Sequence, residues 1–215
     1  MAGWARWWPL TGVAFVGLFI GGFAVVGNDV DTQDSNDKIL AYYAKSGNKD
    51  RHFIAFFMIL AACLLFIWFL VMLRQTLARA EGGAGTLTAL AYGAGIAATA
   101  LWIVSDSLFA SAAFTVDDTS KFHLDPDTYR IFQDTGYGVW FSGTTVAAAT
   151  VAATAILALR KALLPKWIAW LSFVVALTML VSFFFVPFLI MCGWILVVSL
   201  VLIMRKEAGA APLPA

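Results

Sequence analysis

Long apolar runs alternate with short, charge-dense segments along the chain. Uncharged stretches cover Trp7–Asn28, His52–Leu73, Gly82–Ser105, Thr135–Leu159 and Trp167–Met204. Each is long enough to supply the roughly 20 residues with which a helix crosses about 30 Å of hydrocarbon. The last is too long for one crossing, since a single helix would run about 57 Å. Pro187 lies near its middle. Proline cannot donate the helix hydrogen bond, but it suits a first turn. The pattern therefore predicts six spans, near residues 9–27, 52–73, 86–113, 130–160, 167–184 and 187–204, with a tight turn through Phe185-Val186 between the last two. The expected fold class is all-α: a polytopic transmembrane helix bundle forming one domain over 1–207. AGAAPLPA at 208–215 reads as a disordered tail.

Composition supports the membrane reading. Hydrophobic residues make up 61% of the chain and charged residues 13%. A soluble domain carries about 25% charge, so this chain lacks the polar surface to cover a water-soluble core. Arg6 followed by an apolar run could pass for a secretory leader. The run exceeds a usual leader core and no A-x-A site follows, so a retained first span is expected.

The charges also orient the bundle. Arg6, Arg74, Arg79, Arg160, Lys161, Lys166, Arg205 and Lys206 fall on one side with only Glu81 and Glu207. The other side holds Lys38, Lys45, Lys49, Arg51, Lys121 and Arg130 among Asp29, Asp31, Asp34, Asp37, Asp50, Asp117, Asp118, Asp125, Asp127 and Asp134. Basic loops stay in the cytoplasm. Both termini are therefore expected inside a multi-pass cell-membrane protein. Trp4, Trp7, Trp8, Trp167 and Trp170 suit an inner interfacial belt, and Tyr42, Tyr43, Tyr129, Tyr137 and Trp140 an outer one.

The two long outer loops contain helix signals. In the first, Asp34, Ser35 or Asn36 can cap a short helix through Ile39, Leu40, Tyr42 and Tyr43, which Gly47 would end. In the second, Asp125 is an N-cap with Pro126 at the first helical position, and the pattern can run on from there into the fourth span. Together the segments would cap the outer face. The aspartate run at 29–37 lacks the glycine and glutamate of an EF-hand, so capping and solvated charge explain it better than calcium.

Candidate chemistry centres on Asp106. At helical spacing it shares a face with Gly95, Thr99, Trp102, Phe109 and Ala113. A carboxylate inside a span is costly and marks a functional candidate. The competing reading is a boundary carboxylate, hydrated or bonded by Ser105 and Ser107; the choice depends on whether the helix starts near Thr86 or nearer Tyr92. His52 and Asp134 also fall near outer helix ends, and Tyr137 follows one turn on. Trp102, Asp106, Phe109, His52, Asp134 and Tyr137 are the expected ligand-lining residues, with Asp106 and Asp134 the only acid–base candidates. A mixed site of these with His123 or Asp29 is conceivable, but no ligand-spacing motif supports a metal, and none is expected. No cofactor fingerprint is present, and two separated histidines argue against a bis-histidine haem. The small residues of the fourth span, from Gly136 to Thr154, suit close helix packing; a thin cavity wall is the alternative. Cys63 and Cys192 sit in apolar runs and read as small hydrophobes.

Four segments carry a wider resemblance: DKILAYYAKSG before the second span, LRQTLARAEGG after it, LDPDTYRIFQDTGY before the fourth and LLPKWIAWLSF opening the fifth. With these the chain resembles an uncharacterised family of bacterial six-span integral membrane proteins. The resemblance implies a similar fold and no particular activity.

Three functions compete on this basis. The favoured one is a non-enzymatic protein binding a lipid-like or hydrophobic small molecule near the outer leaflet. The others are an accessory subunit of a larger membrane complex and an embedded enzyme or proton-coupled transporter using Asp106. The expected partners are the lipid bilayer, a hydrophobic ligand and a membrane-protein partner. A net charge of +1 without a basic patch argues against nucleic acid.

Overall fold

The computed structural model describes residues 8–118, 123–161, 165–181 and 185–204. Seven helices account for almost all of them, and no strand occurs among the described residues. They are α1 (Leu10–Val26), α2 (Asn36–Tyr43), α3 (Ser46–Glu81), α4 (Thr86–Asp118), α5 (Pro126–Lys161), α6 (Lys166–Met179) and α7 (Val186–Met204). Trp4, Arg6, Trp7, Lys121, Arg205, Lys206, Glu207 and the tail at 208–215 lie outside the described residues.

Local chemistry sets the helix ends. Gly27 closes α1 with φ of 69°, a left-handed conformation that glycine adopts without a Cβ clash. Ser35 caps α2, its hydroxyl accepting the Lys38 N–H at 3.4 Å. Gly47 does not end α2, as its sequence position suggested; it lies in the first turn of α3. The chain instead breaks at Lys45, in extended conformation, and the Asn48 side-chain amide donates to the Tyr42 carbonyl at 2.9 Å. The side chain satisfies the helix end, so no left-handed residue is required there.

α3 is also longer than the apolar run it carries. Arg74 through Glu81 are good helix formers, so charge ends the membrane-compatible zone without ending the helix. Glu81 then reaches across the turn, accepting the backbone N–H of Leu87 and Thr88 at 2.8 Å each and the Thr88 hydroxyl at 2.6 Å. The last residue of α3 thereby caps α4. α5 starts at Pro126, as the cap signal predicts, because Asp125 accepts the Thr128 N–H at 2.9 Å and nucleates the helix there.

Contacts show antiparallel neighbours. Along α3 and α4, Phe53 meets Phe114, Phe66 meets Trp102 and Leu70 faces Gly95. Along α4 and α5, Thr150 donates to the Ala91 carbonyl and Ser105 to the Gly136 carbonyl, both at 2.8 Å. α1 pairs with α3 and α7, α5 with α6, and α6 with α7, closing a ring of six helices. Its centre is aromatic: Phe15 and Phe19 of α1, Phe66 of α3, Trp102 of α4, Trp140 of α5 and Phe188 of α7 stack within about 6 Å of one another in a connected set. Large apolar side chains such as Trp68, Val104, Leu177 and Leu200 cover the outside of the ring.

Four helices, α3, α4, α5 and α7, are long and apolar enough to cross a membrane. α1 and α6 are apolar but shorter, with 17 and 14 residues. α5 is the central element, with 61% of its apolar window buried against 39–44% for the other three. Its small residues serve close packing: a Cβ on Gly136 would meet Phe109 at 2.7 Å and one on Gly143 would meet Trp102 at 2.9 Å.

α2 and the loop before it lie over one end of the ring, against α3, α4 and α5. A second core forms there from Val30, Ile39, Tyr43, Ala112, Ala113 and Tyr129. Arg130 fastens the loop, donating to the Thr32 and Asp34 carbonyls at 2.8 Å each. Asp31 and Asp34 accept backbone N–H groups at 2.9 Å, and Asp34 pairs with Lys38 at 2.7 Å.

Candidate functional site

Beneath this cap is a cavity of about 190 Å³. Its wall comes from the C-terminal end of α1 (Phe23, Val26, Gly27), the early turns of α3 (His52, Ala55, Phe56, Ile59), α4 (Asp106, Phe109, Ala110), α5 (Gln133, Tyr137, Trp140) and Phe185 before α7. Asp29 completes the rim. Tyr137 and Phe185 line the cavity and are exposed; Tyr137 follows Gly136, whose carbonyl bonds Ser105, so the cavity opens at the depth of Asp106.

Antiparallel register explains its depth. α3 meets α4 at Phe53–Phe114 and again at Phe66–Trp102. Asp106 therefore lies about nine residues, or ~13 Å, below the level of His52. The floor is the aromatic centre under Ile59 and Trp140; the rim carries Asp29 and His52, and Gln133 sits lower, level with Phe109.

Asp106 is 8% exposed and faces the cavity. Its serine neighbours do not serve it. Ser105 donates to the Gly136 carbonyl at 2.8 Å and Ser107 to the Ile103 carbonyl at 2.9 Å. Among the described residues no hydrogen bond or ion pair engages its carboxylate. Neither serine is therefore the hydrogen-bond partner that the boundary reading gave to Asp106. The helix does start at Thr86, yet it runs on to Asp118 and a cap covers its end.

The rim is a polar cluster. His52 Nε2 lies 3.3 Å from the Tyr42 hydroxyl and 3.5 Å from Asp29 Oδ1. The Tyr43 ring lies against the imidazole at 5.7 Å between centroids. Burial, with the Asp29 carboxylate nearby, holds both the Tyr42 and Tyr43 hydroxyls well above the ordinary phenol range. They stay protonated donors at neutral pH. Below the rim, Gln133 donates to the Phe109 carbonyl at 3.4 Å.

No curated protein and no solved structure matches the chain. The family model described as a domain of unknown function, DUF4386, matches residues 10–209. The chain belongs to this family. For this DUF4386 member the match spans all seven helices and the cavity they enclose.

Within the DUF4386 fold, four of the six expected ligand-lining residues meet at the cavity: His52, Asp106, Phe109 and Tyr137. Two do not. Trp102 is fully buried below the floor, its indole N–H donating to Thr144 at 3.4 Å. Asp134 is exposed on the outside of α5, and its neighbour Gln133 takes the inward position. Asp134 and Asp106 therefore do not form an acid–base pair. Among the described residues no three His, Cys, Asp or Glu side chains converge as metal ligands would. Sequence reasoning missed Gln133, Trp140, Phe23 and Phe185 as lining residues. The signal for Phe23 and Phe185 was their position near helix ends that converge on the cap; Trp140 lies well inside α5 and carried no such signal.

Proposed function

We propose that this DUF4386 member is a six-span cell-membrane protein with both termini cytoplasmic, and that it binds a lipid-like or hydrophobic small molecule in the cavity under the outer cap. One observation carries the binding reading: a preformed, mainly apolar cavity holds an unpartnered carboxylate and a few polar rim groups. Ligand sites are typically concave, apolar and furnished with few polar groups. A cavity of about 150 Å³ suffices for a benzene molecule, so this one takes a comparable ring or a lipid end group.

The six-span reading is supported by the closed ring, in which α1 and α6 sit as full neighbours of the longer helices. At about 26 Å and 21 Å they span a bilayer that thins locally around them. The aspartates of the cap and the basic residues at the opposite helix ends, such as Arg74, Arg79, Arg160 and Lys166, support the orientation.

Native mass spectrometry of the protein extracted in mild detergent tests the binding. The expected spectrum carries a hydrophobic adduct that filling the cavity removes. A spectrum free of adducts, with no saturable uptake of added hydrophobic probes, would overturn the reading. Reporter fusions at the loop near 83 and the loop near 32 test the orientation; activity of a periplasmic reporter at 83 would reverse it.

A further inference from the structure

The cavity that the proposed function relies on has a chemical bias. Its walls present Phe23, Phe56, Phe109, Tyr137, Trp140 and Phe185, and its depths hold Asp106. Asp106 is 8% exposed as a residue, and among the described residues no cationic side chain or hydrogen-bond donor engages its carboxylate. The lining contains no Lys or Arg. An ionised carboxylate alone in apolar surroundings is unfavourable, and a matching positive charge relieves it. Aromatic faces attract organic cations through their quadrupoles and hold quaternary ammonium groups in cages. A hydrated metal ion would find too few oxygen ligands here.

The approach favours the same sign. The cap over the cavity carries Asp29, Asp31, Asp34, Asp37, Asp117 and Asp127. Of the bases at that end, Lys38 pairs with Asp34, Lys49 with Asp117 and Arg130 with Asp127, and Lys45 and Arg51 lie beside them, so the aspartates remain in excess. A surface rich in one sign of charge concentrates ligands of the other near it.

We infer that the cavity is a site for an amphipathic organic cation, whose ammonium group is received by Asp106 and the surrounding aromatic faces. This rests on the reading of the cavity as a ligand site and narrows it. The ammonium can belong to a free amine or to a phospholipid headgroup.

The test compares two probes of equal shape, benzyltrimethylammonium and its uncharged isostere neopentylbenzene. Binding of each to the full chain in dodecyl maltoside is measured by calorimetry, with empty micelles subtracted. The expected result is saturable binding of the cation at least tenfold tighter than of the isostere. Asp106→Asn should remove that preference while neopentylbenzene still binds. Equal affinity of the two probes for the native chain would overturn the cation assignment and leave the hydrophobic site standing. Absence of saturable binding by either would overturn both. The native comparison needs no variant, so a poorly folded Asp106→Asn protein does not blunt the test. Added phosphatidylcholine, with phosphatidylglycerol as control, separates the sources. Selective weakening of the cation by phosphatidylcholine supports the site with a lipid headgroup as occupant. Equal, small effects of the two lipids support it with a free amine.

Discussion

The hydroxyl of Tyr129 donates to the carbonyl oxygen of Val30 at 2.7 Å, tying the first turn of α5 to the loop that follows α1. Both residues are buried in the cap's own small core. Tyr129→Phe leaves that carbonyl without its partner while keeping the ring. An unsatisfied buried acceptor costs about 1–3 kcal/mol. The variant should show a lower unfolding temperature in detergent and faster amide exchange over residues 28–34. Unchanged exchange there would mean that the hydrogen bond does not hold the cap.

Two glycines of α5 should respond oppositely to alanine. At Gly143 a Cβ would come within 2.9 Å of Trp102 and 3.1 Å of the Leu101 Cβ. Trp102 is locked among the central rings and cannot yield cheaply. Overpacking of this kind costs about 1–3 kcal/mol. At Gly138 nothing lies within 4 Å of the new atom. Gly138→Ala should be neutral or stabilise by up to about 1 kcal/mol, through helix propensity alone. Parallel thermal unfolding of the two variants checks the contrast.

Filling the cavity should remove its ligand without removing the fold. Ala110 is 3% exposed and lines the cavity wall. Ala110→Phe directs a ring into the space. The expected outcome is a monodisperse protein with native helix content by circular dichroism and no hydrophobic adduct in native mass spectra. Retention of the adduct would place the ligand elsewhere.

The cap should loosen in acid. The Lys38 ammonium, together with the Asp31 N–H, holds the Asp34 carboxyl below its ordinary range. A depressed carboxylate contributes stability that is fully present above its unfolded pKa, near 3.9, and disappears as pH falls through the lower folded value. Asp125 behaves alike, held down first by the Thr128 hydroxyl and then by the Thr128 N–H. Exchange protection over residues 29–38, corrected for intrinsic rates, should be constant from pH 7 to 5 and fall towards pH 3. Asp34→Asn should flatten that dependence.

Residue types that act locally are legible in the amino-acid sequence. Ser35, Asp125 and Pro187 mark helix starts because capping and proline geometry depend on a few adjacent residues. The face of Gly95, Thr99, Trp102, Asp106, Phe109 and Ala113 points inward as its spacing requires. The far helix ends are not legible in the same way, because hydropathy reports where the hydrocarbon zone stops and Arg74–Glu81 continue the helix beyond it.

Sequence by itself determined an all-α chain of long apolar helices, the gathering of the aspartates on one side, and the inward face that carries Asp106. Tertiary structure alone decided where along that face a void opens. Trp102 and Asp106 lie one turn apart, yet Trp102 is enclosed by rings from four other helices while Asp106 borders the cavity. Likewise Gln133 turns inward and Asp134 outward, a difference of about 100° around α5. A helix rich in small residues on every side does not announce its phase. Helical period sets direction around an axis; depth and emptiness depend on what the neighbouring helices bring to the same level.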